Sequence, residues 1–227
     1  MNFNFSNLNT TEFSSNAGAY LRPYDIYTVN LSKIEKSEVT GKDGTIYPVV
    51  SLEFVGTGTN KGSFSTNLFI PTTEKDMERP TFKNAEGHEY NRPSHFENFQ
   101  FTLMQIVHAL NPTGEEKIKA NASKIKTIDQ FIDLIFKALA GKNNIETNLK
   151  LVGRNSNGVV YAALPQACGL NKAGEVFPVN FIGENLFFTN YELTQQKAYQ
   201  NAKPTKMDDV DEDKTSSDDV DLDGIEL

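Results

Sequence analysis

Residues 24–70 contain three successive segments in which apolar and polar side chains alternate. A period of two is the pattern of a strand with one buried face, so this region predicts antiparallel β structure. In the first segment, residues 24–35, Ile34 is out of phase with the other apolar residues, which indicates a bulge or bend. The apolar face before Ile34 comprises Tyr27, Val29 and Leu31.

The second and third strands are predicted at residues 47–55 and 63–70. A turn signal at residues 41–44 precedes the second strand, and Pro71 ends the third. The expected inward-facing residues are Val50, Leu52 and Phe54 in the second strand, and Phe64, Thr66, Leu68 and Ile70 in the third.

The segment between these two strands, residues 56–62, is rich in glycine. A phosphate-binding loop needs Gly-Lys followed by Ser or Thr at the start of a helix. Here Lys61 precedes Gly62 and a strand follows, so we expect a hairpin loop instead.

Two helices are predicted after the third strand. Ser94 and Glu97 have the spacing of a capping box, and Asn111-Pro112 ends the run that follows. Thr127 begins a second run in the same way, and Gly141 ends it. The apolar faces comprise Phe96, Phe99, Leu103, Ile106, Val107 and Leu110 in the first helix, and Ile128, Phe131, Ile132, Ile135 and Leu139 in the second.

Strand patterns return in the last third of the chain. Residues 144–153 alternate, and a tight-turn signal at residues 155–158 leads to a partner strand at 159–164. Two weaker strand segments and a polar stretch follow, at residues 175–182, 185–191 and 192–206.

This order of elements predicts a mainly β protein with a helical insert, of the α+β class. A five-stranded OB-fold barrel with its helices between strands 3 and 4 has the same order, and we expect such an OB-like barrel here. A β-sandwich with helical decoration is the alternative. The expected division is an irregular arm at residues 1–19, an OB-like domain at 20–203 with its helical insert at about 92–141, and a disordered acidic tail at 204–227.

The net charge of -8 is concentrated at one end of the sequence. Residues 207–227 hold ten of the 30 acidic residues and one of the 22 basic residues, which gives that segment a charge of -9. The remaining 206 residues therefore carry 20 acids and 21 bases, a net charge of +1. A nearly neutral body is free to carry basic patches that the whole-chain pI of 5.0 conceals.

A block of like charges without aromatic residues buries too little surface to fold, so the tail is expected to be disordered. One interpretation is that it only promotes solubility. Its apolar ending favours a second interpretation, in which an aliphatic side chain enters a partner's pocket while the acids contact a basic rim. A third is that the tail folds back and competes with phosphates for the domain's own groove. The expected partner-binding residues are Asp218, Asp219, Asp221, Asp223, Ile225, Glu226 and Leu227.

Catalytic and metal-binding patterns are weak. His88, His95 and His108 lack the close, paired spacing that zinc sites favour, with or without Cys168. A single cysteine forms no internal disulfide. We therefore predict a protein that is not an enzyme and has no metal or other cofactor.

Nucleic-acid binding fits the composition better, because non-specific single-strand binders combine basic residues with aromatic faces for base stacking. By strand parity, Tyr47 and Phe69 point away from the core, while Lys150 and Arg154 are expected outward beside Tyr161. The predicted nucleic-acid-binding residues are Arg22, Tyr24, Lys42, Tyr47, Lys61, Phe69, Lys150, Arg154 and Tyr161.

Residues 19–27 (AYLRPYDIY), residues 48–54 (PVVSLEF) and the acidic-apolar tail together resemble bacteriophage single-stranded DNA-binding proteins. The resemblance covers the first three strands and the tail, and leaves out the helical insert and residues 165–206. It implies an OB domain that coats single-stranded DNA and a tail that recruits replication and recombination proteins. Tails of this family usually end in an aromatic residue, whereas Leu227 is the last residue here.

A structural or assembly protein of a virion, with the tail as a docking peptide, is the alternative function. The sequence has no signal-peptide pattern and no apolar run long enough to span a membrane, so we expect a cytoplasmic protein, in the host cell if it is viral. The sequence does not determine the oligomeric state, and a homo-oligomer is one possibility.

Overall fold

The computed structural model describes residues 20–59, 61–83, 86–156, 159–165, 170–172, 188 and 190–201. The predicted N-terminal arm, the acidic tail with its expected partner-binding residues, Cys168 and the weak strand at 175–182 lie outside these residues. The predicted turn at residues 155–158 is described only in part.

The first three strands form an antiparallel meander, as predicted. They are β1 (Asp25–Thr40), β2 (Ile46–Gly56) and β3 (Ser63–Phe69), and the glycine-rich segment is the loop of the β2–β3 hairpin. The register of β1 against β2 shifts between Leu31 and Lys33, which confirms the bulge that Ile34 indicated. The extra residue returns Ile34 to the core side, opposite Leu52 of β2.

A small hairpin that the sequence patterns did not indicate precedes the helices. It consists of β4 (Thr81–Lys83) and β5 (Glu89–Asn91), which form a separate two-stranded sheet. A short 3-10 helix, Glu74–Met77, connects β3 to this hairpin.

Three α-helices follow: α1 (His95–Leu110), α2 (Pro112–Ala120) and α3 (Ile128–Leu139). Ser94 and Thr127 cap α1 and α3 by accepting backbone hydrogen bonds, as expected. α2 was not predicted. Asn111-Pro112 does end α1, but the Asn111 side chain accepts a bond from Gly114 and proline suits a first helical turn, so the same residues begin α2.

The returning strands pair with the start of β1. β6 (Glu146–Ser156) lies antiparallel to β1, with Asp25 opposite Leu151. On its other edge, β6 pairs with β7 (Val159–Ala163) and then with the short β8 (Leu170–Lys172).

The six strands form one mainly antiparallel sheet in the order β3-β2-β1-β6-β7, with β8 also on β6. The expected closed barrel is not observed, because no pairing joins β3 to β7 among the residues that the structure describes. β7 is five residues long and reaches only the distal half of β6. The beginning of β3 is instead bridged by the chain that enters β1, through Tyr20 and Leu21 against Ser63. The fold is a mixed α+β structure with an open sheet.

The core lies between one face of this sheet and helices α1 and α3. Leu52 and Phe54 of β2 share it with Leu103 of α1 and Ile132 of α3, and all four are almost completely buried. Burial of each such side chain contributes about 1.5–3 kcal/mol, so these contacts fix the helices on the sheet.

A fourth helix, α4 (Asn190–Asn201), occupies residues that the sequence patterns assigned to the end of a weak strand and a polar stretch. The strand assignment is wrong for Asn190 and Tyr191, and the helix itself was not predicted. α4 is mainly polar, and its place in the fold comes from specific contacts with β6 and with the residues before β1.

Candidate nucleic-acid interface

The predicted nucleic-acid-binding residues fall at two ends of the sheet. β2 runs from the turn at residues 41–45 to the loop at residues 57–62, and its length from Tyr47 to Gly56 is about 30 Å. Gly56 lies opposite Val29 of β1, so the loop end of β2 and the start of β1 lie at the same end of the sheet.

Tyr47 and Phe69 meet at the turn end, on the sheet face opposite the α1–α3 core. Their ring centroids are 5.9 Å apart and the planes are nearly perpendicular, an edge-to-face contact. The side chains remain 39% and 47% exposed. Val49 shares this face, lies opposite Phe69 in the register and is fully buried, as its position beside the two rings explains. We call this pair the sheet aromatic pair.

Gly41 supports the position of Tyr47. A Cβ atom at Gly41 would lie 2.9 Å from the Tyr47 ring and 2.7 Å from the Asp43 carboxylate, so only glycine allows this close approach. Asp43 in turn accepts hydrogen bonds from Thr45, which hold the pKa of its carboxyl below the usual value. Lys42 is exposed in the same tight turn.

The middle of this face is polar. The Ser51 hydroxyl donates to the Asn67 side chain at 2.8 Å, and Lys33 forms an ion pair with Glu35 at 2.8 Å. Glu53 lies opposite Lys33 in the register. The aromatic and basic residues therefore do not form one continuous groove along β2.

Three of the predicted basic residues lie towards the other end of the sheet. Arg22 is exposed, and its backbone exchanges hydrogen bonds with the Tyr27 hydroxyl. Lys61 is exposed in the neighbouring loop. On the β6–β7 hairpin, exposed Arg154 lies directly opposite Tyr161, which is 47% exposed. We call this set the basic end.

Lys150 does not belong to the basic end, and the expectation that it points to solvent is wrong. It lies on the face away from the core, but α4 packs on β6 there, and the side chain is 1% exposed. Its ammonium group lies 3.0 Å and 3.2 Å from the two Glu192 carboxylate oxygens and 5.4 Å from the Phe188 ring centroid. Parity correctly predicts the face but carries no information about a helix far along the chain.

Tyr24 is also buried, although its neighbour Arg22 is exposed. Its ring lies over Gly153, where an added Cβ would be 2.4 Å from the ring, and 5.7 Å from the Tyr199 ring of α4. Burial raises the pKa of the Tyr24 hydroxyl. A φ of 62° shows that its backbone is left-handed, and Gln196 donates to its carbonyl oxygen at 2.8 Å. Tyr24 therefore anchors α4, and its ring is not an exposed stacking surface.

Two histidine–carboxylate pairs lie in the helical insert, and sequence spacing did not reveal them. His95 is 3.0 Å from Asp76, and His108 is 2.7 Å from Glu115. They link α1 to the preceding 3-10 helix and to α2. Groups of three or more residues able to hold a metal ion are absent from the described part of the chain.

A groove of about 850 Å³ opens in the helical insert. It lies between residues 71–77, helix α1 and residues 118–131, and its lining is mostly apolar. The charged residues that line it are Glu74, Glu97, Lys119 and Lys126.

No family model matches this chain, and no similar curated protein or solved structure is found. Over the residues described, every helix is too short or too polar to cross a membrane.

Proposed function

We propose that this chain is a single-stranded DNA-binding protein of the bacteriophage type, built on an OB-like sheet and binding without sequence preference. The observation that carries the proposal is the sheet aromatic pair, because two exposed rings on a strand face away from the core are typical of a base-stacking surface. The strand order β3-β2-β1-β6-β7, with helices between the third and fourth of these in sequence, supports the OB assignment.

The two ends of the sheet would have different tasks. At the turn end, Tyr47 and Phe69 stack on bases, a contact that tolerates any sequence because every base has a π face. At the basic end, Arg22, Lys61 and Arg154 contact phosphates, and Tyr161 offers a further ring. The length of β2 from Tyr47 to Gly56, about 30 Å, is compatible with the several nucleotides, about 4–16, that an OB fold covers.

The acidic segment would regulate this surface. With a charge of -9 against +1 for the rest of the chain, it is attracted to the same basic residues that contact phosphates. We further propose that its apolar residues recruit replication or recombination proteins.

Fluorescence anisotropy with a labelled oligothymidylate tests the function. We expect binding that is tighter than to a duplex of the same length, and that weakens as salt rises because phosphate contacts release counterions. Affinity for the single strand no higher than for the duplex at low salt would refute the proposal.

A virion structural or assembly protein is the second candidate, and the groove of the helical insert favours it. A large, mostly apolar concave surface suits a segment of another protein. Stoichiometric recovery of the chain in purified particles, together with no affinity for oligothymidylate, would support this candidate over the first.

A further inference from the structure

A second aromatic surface lies on the β4–β5 hairpin, separate from the main sheet. Phe82 and Tyr90 are directly opposite in the register, and their rings stack at a centroid distance of 6.1 Å with 29° between the planes. The two side chains are 38% and 43% exposed.

Arg92 completes this surface. It lies two residues after Tyr90, hence on the same face, and its guanidinium carbon is 4.1 Å from the Phe82 ring centroid and 5.8 Å from that of Tyr90. The guanidinium also donates to the Tyr90 hydroxyl at 3.2 Å. These contacts restrict the arginine before any ligand binds, which reduces the entropy lost on binding.

The other charged side chains of the hairpin have partners. Lys83 and Glu89 form an ion pair at 3.0 Å and lie opposite each other, one position away from the aromatic face. Glu86 lies 3.4 Å from His88. Among the described residues of the hairpin, Arg92 is therefore the positively charged residue that lies on the same face as the two rings.

The hairpin is held at its base. The Arg92 amide donates to the Pro80 carbonyl at 3.0 Å, and Arg79 makes a bidentate contact with Glu97 in the first turn of α1. An isolated two-stranded hairpin is marginally stable, and a stacked pair contributes about 0.5–1.5 kcal/mol, so the rings also stabilise the hairpin itself. Stabilising the hairpin does not require the Arg92 guanidinium to lie over the rings. The plane of a guanidinium group is itself a surface on which bases stack.

We propose that Phe82, Tyr90 and Arg92 form a second nucleobase-stacking site, in which a base stacks on the exposed ring or guanidinium surface and Arg92 donates to the adjoining phosphate. This inference rests on the proposed single-strand binding and extends its footprint from the main sheet to the β4–β5 hairpin. The expected ligand is an unpaired nucleotide of any sequence, since the site offers faces for stacking and a phosphate donor.

The chain contains no tryptophan, so Phe82→Trp introduces a single fluorescent reporter at the site. We expect oligothymidylate to quench this fluorescence as it binds, with the same midpoint as the anisotropy of the labelled strand. Lys137→Trp is the control, because Lys137 is exposed on α3, which packs on the core side of the sheet and is outside the hairpin. Its fluorescence is expected to change little.

Affinity provides the second readout. The double variant Phe82→Leu/Tyr90→Leu keeps apolar packing but loses the π faces, and should weaken oligothymidylate binding about tenfold, the effect of one stacked base. Arg92→Gln should reduce the slope of log affinity against log salt by about 0.7, whereas the same change at the exposed Lys137 of α3, Lys137→Gln, should not.

The outcomes separate the two proposals. Wild-type protein that binds oligothymidylate, with no quenching in Phe82→Trp and unchanged affinity in the leucine variant, overturns the hairpin site and leaves the function standing. Wild-type protein with no preference for single strands overturns both. Quenching at position 82 with weakened binding in the leucine variant supports both.

Discussion

At the scale of single residues, the ion pair between Lys150 of β6 and Glu192 of α4 holds a helix on the sheet face opposite the core. Taking a lysine out of water is unfavourable unless its charge is neutralised and hydrogen-bonded. Glu192 does both at 3.0 Å and 3.2 Å, and the pair thereby fixes α4 over β6. Elsewhere on that face, Tyr47 and Phe69 are 39% and 47% exposed.

Glu192→Gln should therefore destabilise the fold by about 3 kcal/mol, because it leaves a buried ammonium group without its carboxylate. Lys150→Met/Glu192→Leu removes both charges and should recover most of this loss. Chemical denaturation measures both. As a control, Lys36→Met breaks the exposed Lys36–Asp129 pair and should change stability by less than about 1 kcal/mol. Equal losses in Glu192→Gln and in the double variant would contradict the assigned role of the pair.

At the scale of elements, the start of α1 organises the helical insert. The Glu97 carboxylate accepts a hydrogen bond from the Ser94 amide at 2.8 Å, and the Ser94 hydroxyl accepts one from the Glu97 amide at 3.1 Å. Arg79 donates to the same carboxylate. The Arg79 guanidinium, with the Ser94 amide, lowers the pKa of Glu97 to about 2. Asp76 of the preceding 3-10 helix has a pKa well below its usual range, mainly because of its contact with His95.

Because the pKa values of these carboxyl groups are lowered, we expect the stability of the helical insert to fall in acid. A carboxyl group whose pKa is lowered in the folded state stabilises the protein at pH values above its ordinary pKa, which is 4.5 for Glu97. This stabilisation is lost as the pH falls towards the folded-state pKa of about 2. Wild type should therefore be more stable than Glu97→Gln above about pH 4.5, and the difference should close between that pH and about 2. Thermal melting across this range measures the difference, with Glu116→Gln, a change at an exposed residue of α2, as the control. A difference that stays constant through the window would contradict the assignment.

At the scale of the whole molecule, local patterns predicted the elements better than their arrangement. The bulge at Ile34, the two helix caps and the outward rings of Tyr47 and Phe69 follow from periodicity and capping chemistry, which act over a few residues. Local patterns did not predict the open sheet, the burial of Lys150 or the docking of α4. These features depend on contacts between residues more than 40 positions apart, which the periodicity of a single sequence does not reveal. The β4–β5 hairpin was missed because three-residue strands are too short to show a period.

The division of charge leads to a prediction for the full chain. Removal of residues 207–227 changes the net charge from -8 to +1, and should preserve or strengthen oligothymidylate binding by removing a competitor for the basic end. The gain should shrink as salt screens the charges. A tail of equal length with its ten acids replaced by their amides separates charge from length and should behave like the truncation. Loss of binding on truncation would contradict this account.

The most direct test of the central claim is the affinity of Tyr47→Leu/Phe69→Leu for oligothymidylate. Leucine keeps Val49 covered and the strand packing intact, so thermal melting should change little while the stacking surface is lost. We predict that binding weakens at least about tenfold relative to wild type, and that Tyr191→Leu has no comparable effect. Unchanged affinity in the folded double variant would show that single-stranded DNA does not bind at this face.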